Sequence, residues 1–496
     1  MLERIYRLSG RARLVARDDG WWLRCDHPLQ AVRLNEGAAR LVAALDGATA
    51  LHALLPGAGR EQVAFLERQT ARGLLRASYR AVPPADPPRV EVIVPVHAAD
   101  PAPLAACLAG LARQTYPPDR FRVTVSDDAS PVDLAVALGP LPPGPAVRWL
   151  RRGKNRGPAS ARNTAALAPH PEATPLLAFL DSDCVPEPDW LARLVAVVDD
   201  PALDVAGGAV RGVADGSLLG RYEGRGSPLY LGPRPGAVAA PEAPLAYLPA
   251  TNLVLRRRVF AAVGGFREGL RVGEDVDLCW RLAAAGAGLF YWPEAAVRHR
   301  HRTRWGAFLR RRCDYARSEG DLRERFPGRF RRAPAGAEGA ALALAAAGLL
   351  LERPVLLPAA LALPWLGAAW RTWRLRAALA GRPAGEAVPV ALGAWLRLGA
   401  ARLLHAARHA TRRTAVLWLP GLALLPALWP LTAAVFALGA LGEALARPPG
   451  RQAAAFLPGF AADALGYSAG LAGLILRRLV RPLRWPGPRR KGAGGT

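Results

Sequence analysis

The chain has 496 residues, enough for two to four domains, and 66 Lys and Arg residues against 40 Asp and Glu give it a net charge of +26. All of these cations except Lys154 and Lys491 are Arg, which fits a compositional bias better than a nucleic-acid-binding surface, so we expect no nucleic-acid partner. The five cysteines are odd in number and far apart, which excludes a disulfide framework and indicates a reduced, cytoplasmic environment.

Residues 1–80 predict a small α+β module. Strand-like stretches at Ala12–Ala16 and Trp21–Cys25 precede helical patterns over residues 34–45 and 61–72, and a short strand over residues 74–77 follows. This order suits a winged-helix-like module, with a generic small domain as the alternative. Charged residues soon after Met1 interrupt any signal-peptide core, so the first domains are expected to stay in the cytoplasm. A proline-rich linker at residues 81–88 follows.

Strands and helices alternate over the first half of residues 89–332. Val90–Val96 is a β-branched run typical of a buried parallel strand. Further strands are predicted at Arg122–Ser126, Val147–Leu150 and Leu176–Leu180, with helices at Pro103–Gln114 and Ala159–Ala168 between them. The pattern predicts an α/β domain with a Rossmann-like, mostly parallel sheet, in which ligands collect at the carboxyl ends of the strands.

Two carboxylates follow the last of these strands, in Asp181-Ser182-Asp183. At this spacing they can face one hard divalent cation, Mg²⁺ or Mn²⁺, which can in turn hold a diphosphate. A turn or helix-capping pair is the alternative, since a lone D-x-D triplet is weak evidence.

Other polar residues near the strand ends have two interpretations. Asp127 and Asp128 can accept hydrogen bonds from a nucleobase, although Asp128 equally suits a turn or helix cap. Asn155 and Gly157 allow close approach of a nucleotide, and Arg162 offers a fork of donors to a phosphate unless it is an exposed helix arginine.

Six motifs stand in a fixed order along this region. They are Val94–Val96, Asp127–Ser130, Asn155–Asn163, Asp181–Asp183, Gly207–Gly208 and Gly273–Asp275. This order and spacing resemble the family 2 glycosyltransferases of the GT-A fold. The resemblance implies a nucleotide-sugar donor that is bound by Pro95, Val96, Asp127, Asp128, Asn155, Gly157, Arg162 and Asp181.

The same resemblance implies the remaining site residues. Asp275, paired with Glu274, would be the catalytic base of an inverting transfer, with helix N-terminal charge as the alternative for Glu274. The acceptor side would include Thr251, Asn252, Trp280 and Arg281. The metal ligands would be Asp183, Asp181 and His299, with His301 as a competitor and a solvated basic loop as the alternative for both histidines.

The segment His301-x-x-Arg304-Trp305 resembles the Q-x-x-R-W motif of processive polysaccharide synthases, with His in place of Gln. This departure argues against a large polymer-extruding synthase and leaves synthesis of short oligomers open.

Residues 333–496 are apolar and predict a helical membrane region. The candidate segments are Gly339–Leu351 with Pro354–Trp370, Ala415–Leu441 and Ala453–Leu476. Arginine clusters flank them, and an even number of crossings would place every cluster, and the catalytic domain, on the cytoplasmic side of the cell membrane. A buried helical hairpin or monotopic association is the alternative.

The whole arrangement resembles the glycosyltransferases of the mycofactocin system. Leu34–Ala39 and Arg72–Leu75 resemble the peptide-binding modules of the PqqD family, and Arg311–Ser318 resembles the helix after the catalytic motif in this group. The resemblance implies transfer of glucose from a UDP-sugar to a peptide-derived redox cofactor. A family 2 transferase acting on a lipid or cell-wall glycan and a non-catalytic membrane-anchored binding protein are the alternatives.

Overall fold

A computed structural model describes residues 1–26, 29–141, 143–168, 174–213, 216–240, 243, 245–270, 272–300, 304–329, 337–374, 379, 383–446 and 453–480. Within them the chain forms an N-terminal module, a central α/β domain and a layer of C-terminal helices.

The N-terminal module has five strands and three helices. The strands are β1 (Leu2–Leu8), β2 (Ala12–Arg17), β3 (Gly20–Asp26), β4 (Leu29–Leu34) and β5 (Leu75–Ala81), and the helices are α1 (Glu36–Ala43), α2 (Leu51–Leu54) and α3 (Arg60–Ala71). β2, β3 and β4 form an antiparallel meander, while β1 pairs with β5. The predicted order of strands, helices and closing strand is present, and the likeness to winged-helix and PqqD modules stays a prediction.

The central domain is built on a nine-stranded sheet in the described part of the chain. Its strands are β6 (Val90–Val96), β7 (Phe121–Asp127), β8 (Ala146–Arg151), β9 (Leu176–Leu180), β10 (Cys184–Pro186), β11 (Val205–Gly212), β12 (Gly236–Ala237), β13 (Asn252–Arg256) and β14 (Leu289–His299). The order is β10-β14-β11-β13-β9-β6-β7-β8, with β12 also paired to β14. The pairs β9-β6, β6-β7 and β7-β8 are all parallel, as predicted, and antiparallel β13 joins this half to β11 and β14.

Helices cover both faces of this sheet, so its central strands are apolar on both sides. They are α4 (Ala102–Ala112), α5 (Leu134–Leu138), α6 (Pro158–Leu167), α7 (Trp190–Val198), α8 (Leu218–Gly226), α9 (Arg257–Ala262), α10 (Glu274–Ala284) and α11 (Trp305–Arg325), with short 3₁₀ turns at Pro118–Arg120 and Pro327–Arg329. All seven residues of β6 are buried; Val92 and Val94 face one core and Ile93 the other. Since β7, β6 and β9 are parallel neighbours, the residues after them meet at one edge.

In its described residues the C-terminal layer has five α-helices, α12 (Ala337–Leu350), α13 (Leu356–Arg374), α14 (Ala384–Leu424), α15 (Trp429–Ala446) and α16 (Ala453–Val480), and Pro426–Leu428 is a 3₁₀ turn. In the described residues, three stretches are long and apolar enough to cross a membrane: Gly385–Trp418, Pro426–Leu445 and Phe456–Leu476. The expected single segment Ala415–Leu441 is therefore wrong, because the helix ends just before Pro426, and the arginine cluster over residues 397–413 lies inside α14. Three stretches also do not match the expected even number.

The last helix packs along the central domain. A Cβ on Gly470 would lie 2.5 Å from the carbonyl oxygen of Cys313, so only glycine allows α16 and α11 to approach this closely. Arg312, 2% exposed, joins the helices through Asp463 (Nε–Oδ1, 2.6 Å) and Glu223 of α8 (Nη2–Oε1, 2.6 Å). Along this side α16 therefore faces protein and a charged helix rather than lipid.

Candidate active site

The loop after β7 is held by its own carboxylates. Asp127 Oδ1 accepts a hydrogen bond from the backbone N–H of Ser130 (2.8 Å), and Ala129 between them adopts a left-handed conformation, φ 61°. Asp128 accepts from the backbone N–H groups of Arg156 (3.1 Å) and Gly157 (2.7 Å). Both aspartates are buried, so the turn-forming interpretation of Asp128 has direct structural support.

These contacts bring the predicted donor residues of three strand ends together. Pro95 and Val96 end β6, and the carbonyl of Val96 accepts from the backbone N–H of Asp128 (2.8 Å). Gly157 precedes α6 at φ 91°, a conformation that favours glycine, and its N–H also lies 3.2 Å from Asn155 Oδ1. The resemblance predicts a donor groove at this point, beside the exposed Asn155 and the ends of β6 and β7.

Arg162 connects this groove to the predicted catalytic pair. Its guanidinium, 3% exposed, donates to Asp181 Oδ1 (2.5 Å) and to Glu274 Oε1 (3.0 Å). Burial alone would lower the pKa of Arg162, but Asp181 and Glu274 outweigh burial and raise it. Arg162 is thus a buried, permanently charged bridge between a carboxylate after β9 and one at the start of α10, not an exposed helix arginine.

Asp275 stands beside this bridge in the first turn of α10. Burial is the largest cause that raises its pKa, and the neighbouring Glu274 adds to it, while Arg162 and a hydrogen bond from the backbone N–H of Val276 (2.8 Å) act in the opposite direction. The result is a pKa of about 7 for Asp275. A carboxylate with such a pKa can take a proton at neutral pH and release it again, as a general base must.

The predicted metal ligands are brought together in part. Cys184 and His299 are directly opposite in the β10-β14 pair, and His299 Nε2 lies 3.4 Å from Asp183 Oδ2. The ligand atoms of Asp183, Cys184 and His299 all lie within 4.8 Å of one another. Asp181 is not in this group, because it faces Arg162; His301 lies outside the described residues.

The chemistry of this group fits a divalent ion. Asp183 is exposed, and an oxygen with an imidazole nitrogen suits Mn²⁺ in particular. Cys184 is buried against Thr251 (Sγ–Oγ1, 2.9 Å), burial raises the pKa of its thiol, and Mn²⁺ prefers oxygen and imidazole ligands to sulfur. Asp183 and His299 are therefore the residues that would hold the ion.

The predicted acceptor residues lie in different surroundings. Asn252 is fully buried, donating to the carbonyls of Ala209 (2.9 Å) and Ala295 (3.0 Å) and accepting from Trp190, so it packs the core. Thr251 is buried against Cys184. Trp280 donates to the carbonyl of Ala246 (2.9 Å).

Arg281 is directed to another part of the domain. It pairs with the buried Asp277 (2.6 Å), which also binds Arg267 (3.1 Å), and lines a cavity shared with Asn163 and Phe266. Asp277 therefore serves the fold as an ion-pair partner. Of the four predicted acceptor residues, Thr251 contacts the group around Asp183, through Cys184, whereas the hydrogen bonds of Asn252, Trp280 and Arg281 described here go to other parts of the domain.

One charged residue near the site escaped the sequence analysis. Arg311 was part of a motif resemblance only, yet it borders a small cavity together with His299. The signal that could have found it is the spacing of Arg311, Tyr315, Ser318 and Leu322, which places them on one face of a helix.

Comparison with known proteins agrees with this geometry. The sequence profile of the family described as "Glycosyl transferase family 2" matches residues 91–264. The "Pre-mycofactocin glycosyltransferase" of Mycobacterium tuberculosis is 36% identical over 248 residues, which are 49% of this chain and 50% of that protein. "Glycosyltransferase AglE" of Haloferax volcanii is 27% identical over 209 residues, 41% of this chain and 64% of that protein. The chain thus spans about half to two thirds of the length of these relatives.

Among solved structures, the mannosyltransferase PcManGT from Pyrobaculum calidifontis, in complex with GDP-Man and Mn²⁺, aligns with a TM-score of 0.40 and 22% identity. The alignment covers 70% of this chain and 95% of that one. The sequence matches confirm the expected resemblance to the mycofactocin-system glycosyltransferases over the matched half of the chain. The family profile covers the strands and loops that carry Asp127, Arg162 and Asp183, so residues 91–264 are similar to the family 2 glycosyltransferases.

Proposed function

We propose that the protein is an inverting glycosyltransferase that moves a hexose, glucose in the first instance, from a UDP-sugar to a mycofactocin precursor and builds a short oligosaccharide. The observation that supports the proposal is the buried bridge Asp181–Arg162–Glu274, which joins the residue before Asp275 to the loop that also carries Asp183. A base and a metal-binding pair on one edge are what inverting transfer from a nucleoside diphosphate requires.

In the proposed reaction Asp275 accepts the proton of an acceptor hydroxyl while its oxygen attacks the anomeric carbon. The bond from that carbon to the diphosphate oxygen breaks on the opposite face, and the nucleoside diphosphate departs with the electron pair. Arg162 holds Glu274 in place, so that Glu274 keeps the pKa of Asp275 high enough for proton transfer. An ion held by Asp183 and His299, Mg²⁺ or Mn²⁺, would supply positive charge to the leaving diphosphate.

The acceptor assignment is supported by the similarity to the pre-mycofactocin glycosyltransferase. We propose that residues 1–80 form a PqqD-like module that binds the modified peptide, that residues 81–88 are a linker, and that residues 89–332 carry out transfer. The buried ion pair between Arg4 of β1 and Asp200 after α7 fixes the module on the catalytic domain, which would keep a bound peptide near it.

We further propose that residues 333–496 attach the protein to membrane lipid, with the catalytic domain on the cytoplasmic side. Large apolar side chains of α13 to α15 support this attachment, since Leu361, Trp370, Trp373 and Leu424 are all more than half exposed. The positive charge then has an anionic lipid surface as its partner rather than nucleic acid.

The test is incubation of the purified full chain with UDP-glucose, Mn²⁺ and the mycofactocin precursor, followed by mass spectrometry. We expect products heavier by one or more hexoses, and none with Asp275→Asn. The exposed apolar helices also favour a second candidate, transfer to a lipid-linked or cell-wall glycan acceptor. If only a lipid extract is labelled, the second candidate replaces the first.

A further inference from the structure

Two faces of helix α11 contact other parts of the protein. Phe308, Arg312 and Ala316 are buried, and Arg312 on this face binds Glu223 of α8 and Asp463 of α16. The spacing of four, three and four residues that separates Arg311, Tyr315, Ser318 and Leu322 defines a second face.

This second face lies against the catalytic loop. A Cβ on Gly273, the residue before Glu274, would lie 3.2 Å from Leu322 Cδ1 and 3.4 Å from Ser318 Oγ. Arg311 is two to three turns further towards the N-terminus of α11. Its guanidinium carbon lies 5.1 Å from the ring centroid of Tyr315, and it borders an enclosed cavity together with His299 and Ser227.

Arg311 forms no ion pair with a carboxylate of the described residues. Among the described residues, no carboxylate oxygen lies within 4.0 Å of its guanidinium, and Nε is buried without a hydrogen-bond partner. Burial would lower the pKa of Arg311, but Tyr315 and the more distant Glu274 and Asp275 outweigh burial and raise it. A half-exposed guanidinium that has Tyr315 as a hydrogen-bond partner and no carboxylate beside it can bind an anion.

The residues around Arg311 indicate which anion it would bind. His299, on the same cavity, belongs to the pair that would hold the ion, and Glu274 is already bonded to Arg162. We propose that Arg311 binds the diphosphate of the donor as a second cation beside the Asp183–His299 pair and stabilises the charge of the leaving group. This inference rests on the proposed function and adds a residue to it.

The test compares two neighbouring arginines in the full chain in detergent. Arg311→Gln removes the half-exposed charge beside His299, while Arg310→Gln removes an identical charge from the exposed side of the same helix. We expect the Kd of UDP, measured by calorimetry with Mn²⁺, to rise by about tenfold or more in Arg311→Gln and to stay unchanged in Arg310→Gln. The weaker binding of uridine, which has no phosphate, should be the same in all three proteins. Arg311→Lys should recover part of the loss.

Each other outcome overturns the inference in a distinct way. Equal UDP affinity in both Gln variants with lost turnover in Arg311→Gln would mean that Arg311 acts on Asp275 alone. Equal loss of uridine and UDP binding in Arg311→Gln and Arg311→Lys, with a lower melting temperature, would mean a structural role. If the wild-type protein binds no nucleoside diphosphate at all, the proposed function fails and the inference with it.

Discussion

At the scale of single residues, Arg162 organises the site. The motif resemblance assigned Arg162 to the phosphate of the nucleotide sugar, whereas in the structure its guanidinium donates hydrogen bonds to Asp181 and Glu274. The residue was therefore found by the sequence, but its partners were not. Glu274 is 112 positions away along the chain, and only the closed sheet brings the two together.

The second residue-scale consequence concerns the base. Asp275→Asn removes the proton acceptor but keeps the shape of the side chain, so we expect donor binding to be nearly unchanged and turnover to fall by about 10²-fold or more. Steady-state kinetics and UDP calorimetry on the same preparations would measure both. Asp119→Asn, at an exposed carboxylate, is the matched control. Substantial residual turnover would remove Asp275 from its role.

The raised pKa of Asp275 also predicts a pH dependence. The base must be ionised, so kcat/KM should rise with pH through about 7 and level off above it. Stability should change in the opposite direction, because a carboxyl whose folded-state pKa is raised loses its contribution as pH rises through that value. Asp275→Asn should accordingly melt at a higher temperature than the wild type at pH 8 and at a similar one at pH 4. A flat difference between pH 4 and 8 would contradict this assignment.

Mn²⁺ binding should distinguish the two proposed ligands, Asp183 and His299, from the neighbouring Cys184. Asp183→Ala and His299→Ala should each weaken Mn²⁺ binding and lower activity at a fixed Mn²⁺ concentration. Electron paramagnetic resonance of the free ion would measure the binding. Cys184→Ser should retain Mn²⁺ binding, since this ion prefers oxygen and imidazole ligands and Cys184 is buried against Thr251. Wild-type Mn²⁺ affinity in both alanine variants would place the ion elsewhere.

At the scale of elements, the strands were predicted best where the sequence pattern had a single interpretation. Leu176–Leu180 was predicted at both ends, because an unbroken apolar run between breakers fits a buried strand. β1 was missed because Arg4 occupies an inward position between Leu2 and Tyr6 and conceals the alternation. Its charge is tolerated there only because Asp200, from another domain, neutralises it.

The contact between α11 and α16 gives an element-scale prediction. Asp463→Ala leaves the buried Arg312 with one carboxylate instead of two, so we expect a loss of about 2 kcal/mol in the free energy of unfolding. Glu36→Ala, which removes an exposed i,i+4 pair with Arg40, should change stability very little. Chemical denaturation in detergent would measure both. Equal effects of the two substitutions would show that Asp463 does not hold α16 in place.

At the scale of the whole molecule, buried charge pairs join the three parts of the chain. Arg4 with Asp200 fixes the first part to the second, and Arg312 with Asp463 fixes the second to the third. Such pairs involve residues from distant segments, so composition and periodicity contain no sign of them. The motifs predicted the content of the central domain, and the contacts between parts came from the structure alone.

Membrane attachment is a property of the full chain and can be tested as one. Alkaline carbonate strips proteins that are bound by charge alone, so we expect the protein to remain in the membrane pellet after such treatment. High salt should release it no better. Recovery of the chain in the carbonate supernatant would contradict attachment of the exposed apolar helices to membrane lipid.

The position of α16 has a practical consequence for anyone who wishes to crystallise the catalytic half. A fragment that stops before α12 would strip Asp463 from Arg312 and would uncover the rings of Tyr222 and Phe308, which now pack in one cluster with Phe460. The new surface would be apolar around an arginine that has lost one of its carboxylate partners, and such a surface promotes aggregation. A catalytic fragment should therefore keep α16 together with α15, whose Phe436 and Ala440 belong to the same cluster.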